Sequence, residues 1–183
     1  MRNQVEFYNT PSGYVMCDDG NYTTRLSESS WEVVDELLDT IRECYSDAYR
    51  ALEQCYSKSS KNSRYQKFRI VNRFIRCNCG ELDTQKIDFI DGNINIEQVH
   101  CPLRGSGDCL YENVICNPKR TSALTVRQLQ IAAALAEGLT PQEVSDRLYI
   151  SIHTVHNTIQ AIKVKLNLKN TTQIISWYNN MNK

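Results

Sequence analysis

The sequence lacks the features that mark several large classes of protein. Its 183 residues include seven Gly and four Pro, too few for a collagen-like or Pro-rich chain. No apolar run approaches the roughly 18 residues that a membrane span needs, and the longest, at 131–136, has six. The first residues contain no apolar stretch of the kind that directs secretion. With 41% apolar and 23% charged residues, we expect a folded protein of the cytoplasm without membrane contact.

Charge is unevenly distributed, although the chain as a whole has a formal net charge of zero. Residues 1–116 contain 13 Lys and Arg against 18 Asp and Glu, a net charge of −5. Residues 117–183 contain 8 against 3, a net charge of +5, and no acidic residue follows Asp146. A basic C-terminal third indicates an anionic partner for that part of the chain.

The first sixty residues show two different patterns. Residues 1–26 are polar and have no period, which indicates an irregular segment. Residues 27–60 carry apolar residues at alternating steps of three and four, which predicts one long amphipathic helix. Its apolar face could pack inside the chain's own domain or pair with a second chain as a short coiled coil that forms a dimer. The apolar positions are Trp31, Val34, Leu38, Ile41, Tyr45, Ala48, Leu52 and Cys55.

Residues 61–117 are predicted to form a Cys-rich β-hairpin module. Apolar residues alternate with polar ones between Phe68 and Phe74, which is typical of a strand. Alternation resumes on both sides of Asp91-Gly92, a pair that favours the tight turn of a hairpin. The predicted fold class is therefore mainly α with a small β-unit, with an N-terminal α+β Cys-rich module.

Five of the eight cysteines are clustered between residues 77 and 116. Four thiolates bind zinc tetrahedrally, and a bound metal stabilises a small module that has little core. We predict a zinc site made from four of the five, with Cys79 as the substitute for Cys77. An iron–sulfur cluster and uncoordinated, redox-active thiols are the alternatives. The candidate ligands are Cys77, Cys79, Cys101, Cys109 and Cys116.

Residues 118–183 return to a helical pattern with clear start signals. Thr125 and Thr140 each precede Gln or Glu by three residues, which is the capping-box arrangement. Two helices at about 141–148 and 152–166 follow one another through a tight turn, as in a helix-turn-helix motif. The apolar stripe of the second helix is predicted to be buried against the first.

The opposite face of the helix at 152–166 carries the types of residue that contact DNA. Asn and Gln can form paired hydrogen bonds with adenine in the major groove, and the absence of acidic residues suits a phosphate surface. The candidates on this face and its rims are His153, His156, Asn157, Gln160 and Lys163.

Four segments of this region resemble the LuxR-type C-terminal DNA-binding domain over about residues 122–178. They begin with Leu124-Thr-Val-Arg-Gln-Leu-Gln-Ile, Ala136-Glu-Gly-Leu-Thr-Pro-Gln-Glu, Ile150-Ser-Ile-His-Thr-Val-His-Asn and Lys165-Leu-Asn-Leu-Lys-Asn. The resemblance implies a four-helix domain whose third helix enters the major groove of double-stranded DNA. Its fourth helix often supports dimerisation.

The resemblance also implies roles for individual residues. Thr154 matches a position that typically contacts phosphate, and Lys165 matches a basic residue near the end of the third helix. His156 stands where the family usually has Lys or Arg. Further phosphate contacts are expected from Lys169 and from the helix N-termini near Thr125 and Thr140.

The sequence therefore predicts a sequence-specific transcription regulator of a bacterium or phage. It is expected to act as a homodimer and to have RNA polymerase as a further partner. The alternatives are a sigma-factor-like polymerase accessory protein, a metal- or redox-sensing regulator and a protein-docking adaptor. We do not expect an enzyme, because no His or Asp pattern accompanies the thiols and no Gly-rich phosphate loop or metal-hydrolase motif is present.

Overall fold

The computed structural model describes residues 4–80, 82, 87–90 and 92–181, which divide into two compact units. The first unit is Met1–Ser122 and the second is Ala123–Lys183. Asp91, the first residue of the predicted hairpin turn, lies outside the described residues. In the described part of the chain, no helix combines the length and the apolar character needed to cross a membrane.

The first unit contains a five-stranded antiparallel sheet in the order β3-β2-β1-β4-β5. The central strand β1 pairs with β2 on one side, Phe7 opposite Cys17, and with β4 on the other, Val5 opposite Phe89. The strands are β1 (Gln4–Asn9), β2 (Val15–Asp18), β3 (Thr23–Arg25), β4 (Phe89–Ile90) and β5 (Asn93–Ile94).

The first three strands correct the prediction that 1–26 is irregular. In β1, Val5, Glu6 and Phe7 are all buried, whereas in β2 the buried Val15 and Cys17 alternate with more exposed neighbours. This is the two-residue period of a strand. The connection between β1 and β2 turns at Gly13, whose φ of 82° is costly for any other residue. The three strands have only six, four and three residues, so their period escapes a scan for long patterns.

The predicted single helix over 27–60 is two helices in the structure. They are α1 (Trp31–Cys44) and α2 (Ser46–Cys55), which a short 3₁₀ turn at Ser57–Ser59 follows. The break falls at Tyr45, which leaves helical geometry with φ of −138° and ψ of 54°.

The break at Tyr45 is stabilised by distant parts of the chain. The Tyr45 ring lies 5.4 Å from that of Phe74, and its hydroxyl donates to Ile94 O at 3.1 Å. Thr121 bonds the backbone beside the break, because its N–H donates to Cys44 O at 2.8 Å and its Oγ1 accepts from Ser46 N at 3.2 Å. A packed aromatic ring and satisfied backbone groups together compensate for the lost helical continuity.

The apolar face of α1 and α2 is buried within the first unit. The positions from Val34 to Leu52 are at most 5% exposed, and only the terminal ones, Trp31 and Cys55, are exposed. This face packs in the chain's own core, so it is not available to a second chain as a coiled-coil seam. Of the two interpretations of the predicted helix, packing inside the domain is the one that the structure supports.

The third helix, α3 (Ser63–Asn78), replaces the strand predicted between Phe68 and Phe74. Its buried apolar residues form two adjacent pairs four residues apart, 70–71 and 74–75, which is a helical spacing. The hairpin prediction is confirmed nearby, where β4 pairs with β5 across a turn that contains Gly92 with φ of 74°.

The second unit consists of four helices around one apolar core. They are α4 (Val126–Ala136), α5 (Pro141–Leu148), α6 (Ile152–Leu166) and α7 (Thr171–Met181). The bounds of α5 and α6 coincide with those predicted for the helix-turn-helix. The largest fully buried side chains of this core are Leu124, Ile131, Ile162 and Ile174.

Candidate nucleic-acid interface

The start of α6 is fixed by a cap, and its buried stripe anchors it. The Ser151 hydroxyl accepts the backbone N–H of Thr154 at 3.0 Å, which satisfies one of the free donors at the helix start. Val155, Ile159 and Ile162 lie four and three residues apart and are buried in the core of the second unit. The opposite face of α6 must therefore point to solvent.

The turn between α5 and α6 is held by three polar contacts. Ser145 Oγ donates to Ile150 O at 2.6 Å, and Ile150 N donates back to Ser145 O at 3.1 Å. Arg127 of α4 donates from Nη2 to Leu148 O at 3.0 Å. The turn is thus bonded within itself and to α4, which fixes the direction in which α6 leaves it.

The solvent face of α6 contains the residues predicted to read bases. His153, His156, Asn157 and Gln160 are all exposed. Asn157 Nδ2 and His153 Nε2 lie 3.0 Å apart, one helical turn from each other, in a side-chain hydrogen bond. The structure therefore brings these four side chains onto one surface, which we call the α6 face together with Val164, a residue 81% exposed.

The predicted phosphate contacts of α6 and the following loop lie around this face. The Thr154 hydroxyl is exposed and lies 2.8 Å from Ser151 Oγ. Lys163 is half-buried, whereas Lys165 is exposed and donates from Nζ to Gln128 Oε1 of α4 at 3.1 Å. Lys169 is exposed beyond the end of α6.

Thr125 and Thr140 form the capping boxes that their positions in the sequence predict. Each forms a capping box, in which the threonine hydroxyl accepts the N–H of the residue three positions later. Thr125 is only 6% exposed, so its side chain cannot meet a phosphate. Thr140 is exposed, but its hydroxyl donates to Glu143 at 2.8 Å, and the bonds from Thr140 lower the pKa of that carboxyl. A carboxylate at the α5 N-terminus opposes an anionic ligand there.

One exposed residue near the α6 face was missed in the analysis of the sequence. Tyr149, at the end of α5, is 95% exposed and has a left-handed backbone with φ of 52°. A helix normally ends this way at Gly or Asn, so the sequence gives no local signal for a tyrosine in this position.

The charges around α6 suit a polyanion. The turn, α6 and α7 contain no acidic residue, and the nearest basic residue before them, Arg147, is paired with Glu137. Basic residues follow within and after α6 at Lys163, Lys165 and Lys169. A surface of this composition attracts phosphate without local repulsion.

Residues 122–178 match the family model described as bacterial regulatory proteins, luxR family. The C-terminal unit is a LuxR-type helix-turn-helix domain. The LuxR-type family consists of DNA-binding transcription regulators and is not a class of enzymes. No curated protein and no solved structure matches the chain.

The five clustered cysteines are divided between two environments. Cys79 is buried just after α3, where its Sγ lies 3.7 Å from Asn95 O. Burial, with the neighbouring carboxyl of Asp88, raises the pKa of the Cys79 thiol well above its usual value. Cys77 lies on α3 itself, whereas Cys79 follows the end of that helix with an extended backbone.

The other four cysteines belong to a second environment at the end of α3. Burial raises the pKa of the Cys77 thiol, the charge of Arg73 lowers it, and the thiols of Cys116 and Cys101 raise it again. Cys109 in turn acts on the Arg73 guanidinium. All eight cysteines are free thiols, and the described residues contain no group of three or more His, Cys, Asp or Glu already arranged to hold a metal.

Proposed function

We propose that this protein is a sequence-specific transcription regulator that reads the major groove of double-stranded DNA with the α6 face. The observation that carries the proposal is the exposed amide pair of Asn157 and Gln160, presented on a helix that a bonded turn and a buried stripe hold in place. The LuxR-type domain supplies the DNA-binding function at the level of the family.

The contacts that follow from this placement are of two kinds. Asn157 and Gln160 would bond base edges, with adenine as the preferred partner, and Val164 would meet the methyl group of thymine. Thr154, Lys163, Lys165 and Lys169 would bond phosphates and set the register of the helix in the groove. The base contacts give specificity and the phosphate contacts give salt-dependent affinity.

The proposal includes a homodimer that acts in the cytoplasm. A symmetric pair of α6 helices would read two half-sites about 34 Å apart, one turn of the duplex. Because the apolar face of α1 and α2 is buried, the dimer would have to use another surface.

The test begins with selection of a binding sequence from random duplexes by the full chain. Affinities for the selected duplex and for a scrambled one are then measured by fluorescence anisotropy. We expect the double variant His156→Ala, Asn157→Ala to lose the preference for the selected duplex while its circular dichroism spectrum is unchanged. Asn180→Ala, which removes an exposed amide on α7, serves as the matched control and should keep the preference.

Two results would overturn the proposal. Unchanged preference in the double variant would mean that another surface reads the bases. Failure of the selection to enrich any sequence at moderate salt would favour a protein-docking adaptor.

A further inference from the structure

We propose that Cys77, Cys101, Cys109 and Cys116 bind one zinc ion as its four ligands and close residues 101–116 onto the end of α3. Four thiolates are a complete tetrahedral ligand set for a structural zinc. This site belongs to the first unit and does not depend on the proposed DNA contacts. It selects four of the five candidate cysteines and leaves Cys79 out.

Hydrogen bonds of Asn78 connect the backbone on both sides of Cys116 to the end of α3 that carries Cys77. Asn78 follows Cys77 at the last turn of α3 and is fully buried. Its Nδ2 donates to Ile115 O at 2.8 Å, and its Oδ1 accepts from Asn117 N at 2.9 Å. The Asn78 side chain, next to Cys77, is therefore hydrogen-bonded to both residues that flank Cys116.

The other two ligands are presented by turns. Arg104 N donates to Cys101 O at 3.1 Å and Glu112 N donates to Cys109 O at 3.2 Å, so each cysteine opens a tight turn. The second of these turns leads to Asn113, whose N–H donates to Cys116 Sγ at 3.4 Å. Backbone N–H groups directed at sulfur stabilise thiolates in metal sites and orient them.

Residues 101–116, which carry three of the ligands, have little regular structure or buried apolar surface to stabilise them. Residues 95–122 contain no helix or strand, and within 101–116 the one buried apolar side chain is Ile115. Leu103, Leu110 and Val114 are exposed. A connection of this length without a core of its own needs another source of stability, and a structural metal supplies it.

The charges near the thiols also suit a metal centre. Zinc with four thiolates carries two net negative charges, which basic groups must offset when the site is partly buried. Arg73 interacts with Cys77 and Cys109, and Arg104 lies in the turn that Cys101 opens. Arg73 Nε and Arg104 Nη2 are buried donors without a hydrogen-bond partner among the described residues, so both can bond to thiolate sulfur.

Binding must draw the four sulfur atoms closer together than they lie in the structure, where no such group is in a coordinating arrangement among the described residues. Each thiol gives up its proton as a zinc–sulfur bond forms, so one zinc ion releases four protons from neutral thiols. Cys101 is exposed, and its segment can move towards the less accessible Cys77. Cys79 cannot join them without leaving the core.

The test uses the full chain expressed in medium that contains zinc and purified without oxygen or chelator. Metal content is measured by mass spectrometry, with an absorption spectrum of the same sample. We expect about one zinc per chain and no visible colour. Cobalt added to the metal-free protein should give the visible bands of a tetrahedral thiolate site and saturate at about one equivalent.

Variants identify the ligands. Cys77→Ser, Cys101→Ser, Cys109→Ser and Cys116→Ser should each lose the bound zinc. Cys55→Ser, at an exposed position of α2, and Cys79→Ala should keep it. Alkylation of the unaltered protein avoids the problem of variants that fail to fold, because removal of zinc should make four further thiols reactive.

Three kinds of result would contradict part or all of the proposed zinc site. Zinc that survives in all four Ser variants, or that is lost in Cys79→Ala while that variant stays folded, would overturn the proposed ligand set. Iron with visible absorption would replace zinc with an iron–sulfur site. The absence of any metal, with no cobalt bound at one equivalent, would overturn the proposal entirely.

Discussion

Among the described residues, Tyr149 is the one residue other than Asn or Gly that has a positive φ. It ends α5 with φ of 52° and ψ of 46°, a left-handed conformation that costs a non-glycine residue about 1 kcal/mol. Its ring is almost fully exposed, so the ring gives little packing energy in return. Retention of a tyrosine in this position is therefore a cost to the stability of the turn.

We predict that Tyr149→Gly stabilises the second unit by roughly 0.5–1 kcal/mol, because glycine adopts this backbone without strain. Urea unfolding monitored by circular dichroism measures the change. Tyr149→Ala is the control, since it removes the ring but keeps the strained backbone, and it should give no gain. A loss of stability in Tyr149→Gly would show that the ring contributes to packing.

Asp88 is a buried carboxyl of the first unit with a strongly raised pKa. It is fully buried, accepts a hydrogen bond from Phe7 N at 2.7 Å through Oδ2, and lies beside Glu6, whose Oε2 accepts from Asp88 N. Burial, chiefly, and the neighbouring carboxyls of Glu6 and Glu97 raise the pKa of Asp88 to about 8, against the hydrogen bond from Phe7. The folded protein therefore holds a proton on Asp88 that the unfolded chain releases above its ordinary pKa of 3.8.

This raised pKa predicts a loss of stability with rising pH. The contribution of protonated Asp88 is full below the unfolded pKa and disappears as the pH rises through about 8. Asp88→Asn keeps an acceptor for Phe7 N–H but has no ionisable proton. The stability of the variant relative to the unaltered protein should therefore increase as the pH rises from 5 to 8.5. Thermal unfolding at both pH values measures this, and an equal response of the two proteins would contradict the prediction.

At the scale of elements, the helix-turn-helix could be predicted closely because its signals are local. Thr140 and Glu143 form the capping box at the start of α5, and Ser151 caps α6, as their positions in the sequence indicate. Apolar spacing within α6 identifies its buried side and therefore its exposed face. The candidate base-reading residues needed no information from elsewhere in the chain.

The first unit could not be predicted equally well, because distant contacts decide its elements. The heptad spacing across Tyr45 favours one continuous helix, and the partner that bonds the break, Thr121, lies 76 residues later than Tyr45. The alternation of apolar and polar residues between Phe68 and Phe74 is also typical of a strand. The buried pairs at 70–71 and 74–75 instead have the helical period, and α3 packs against α1.

The Asn78 side chain links α3 to a later segment of the chain. It donates buried hydrogen bonds to Phe74 O and Ile115 O and accepts a half-buried one from Asn117 N, and so joins α3 to residues 115–117. Asn78→Ala leaves Ile115 O and Asn117 N without this partner, at a cost of about 2–4 kcal/mol. Chemical denaturation measures the change.

The control for Asn78 is Asn95→Ala, which removes one half-buried bond, from Nδ2 to Ile87 O at 2.6 Å. It should cost the protein about 1 kcal/mol. Equal losses of stability in the two variants would contradict the prediction that the hydrogen bonds of Asn78 contribute more to stability than the single bond of Asn95.

At the scale of the whole molecule, the charge of the chain is separated between its parts. The net charge of −5 on residues 1–116 and of +5 on residues 117–183 favours contact of a polyanion with the C-terminal part. The LuxR-type domain and the basic residues occupy the same stretch of sequence. This agreement assigns DNA binding to the second unit.

Lys165 should report the electrostatic part of that binding. Lys165→Ala removes one of the proposed phosphate contacts, so we predict weaker affinity for every duplex alike and a slope of log affinity against log salt reduced by about 1. Anisotropy titrations at several salt concentrations on selected and scrambled duplexes measure this. Lys58→Ala, an exposed lysine of the first unit, is the control and should leave the slope unchanged.

One comparison of affinities tests whether side chains on the α6 face read individual bases. The affinities of the unaltered protein and of Asn157→Ala are measured for the selected duplex and for every single base-pair change in it. We predict that the variant loses discrimination of about 1–3 kcal/mol at one position of each half-site and keeps it elsewhere. Identical profiles for the two proteins, or an equal loss of affinity on all duplexes, would contradict it.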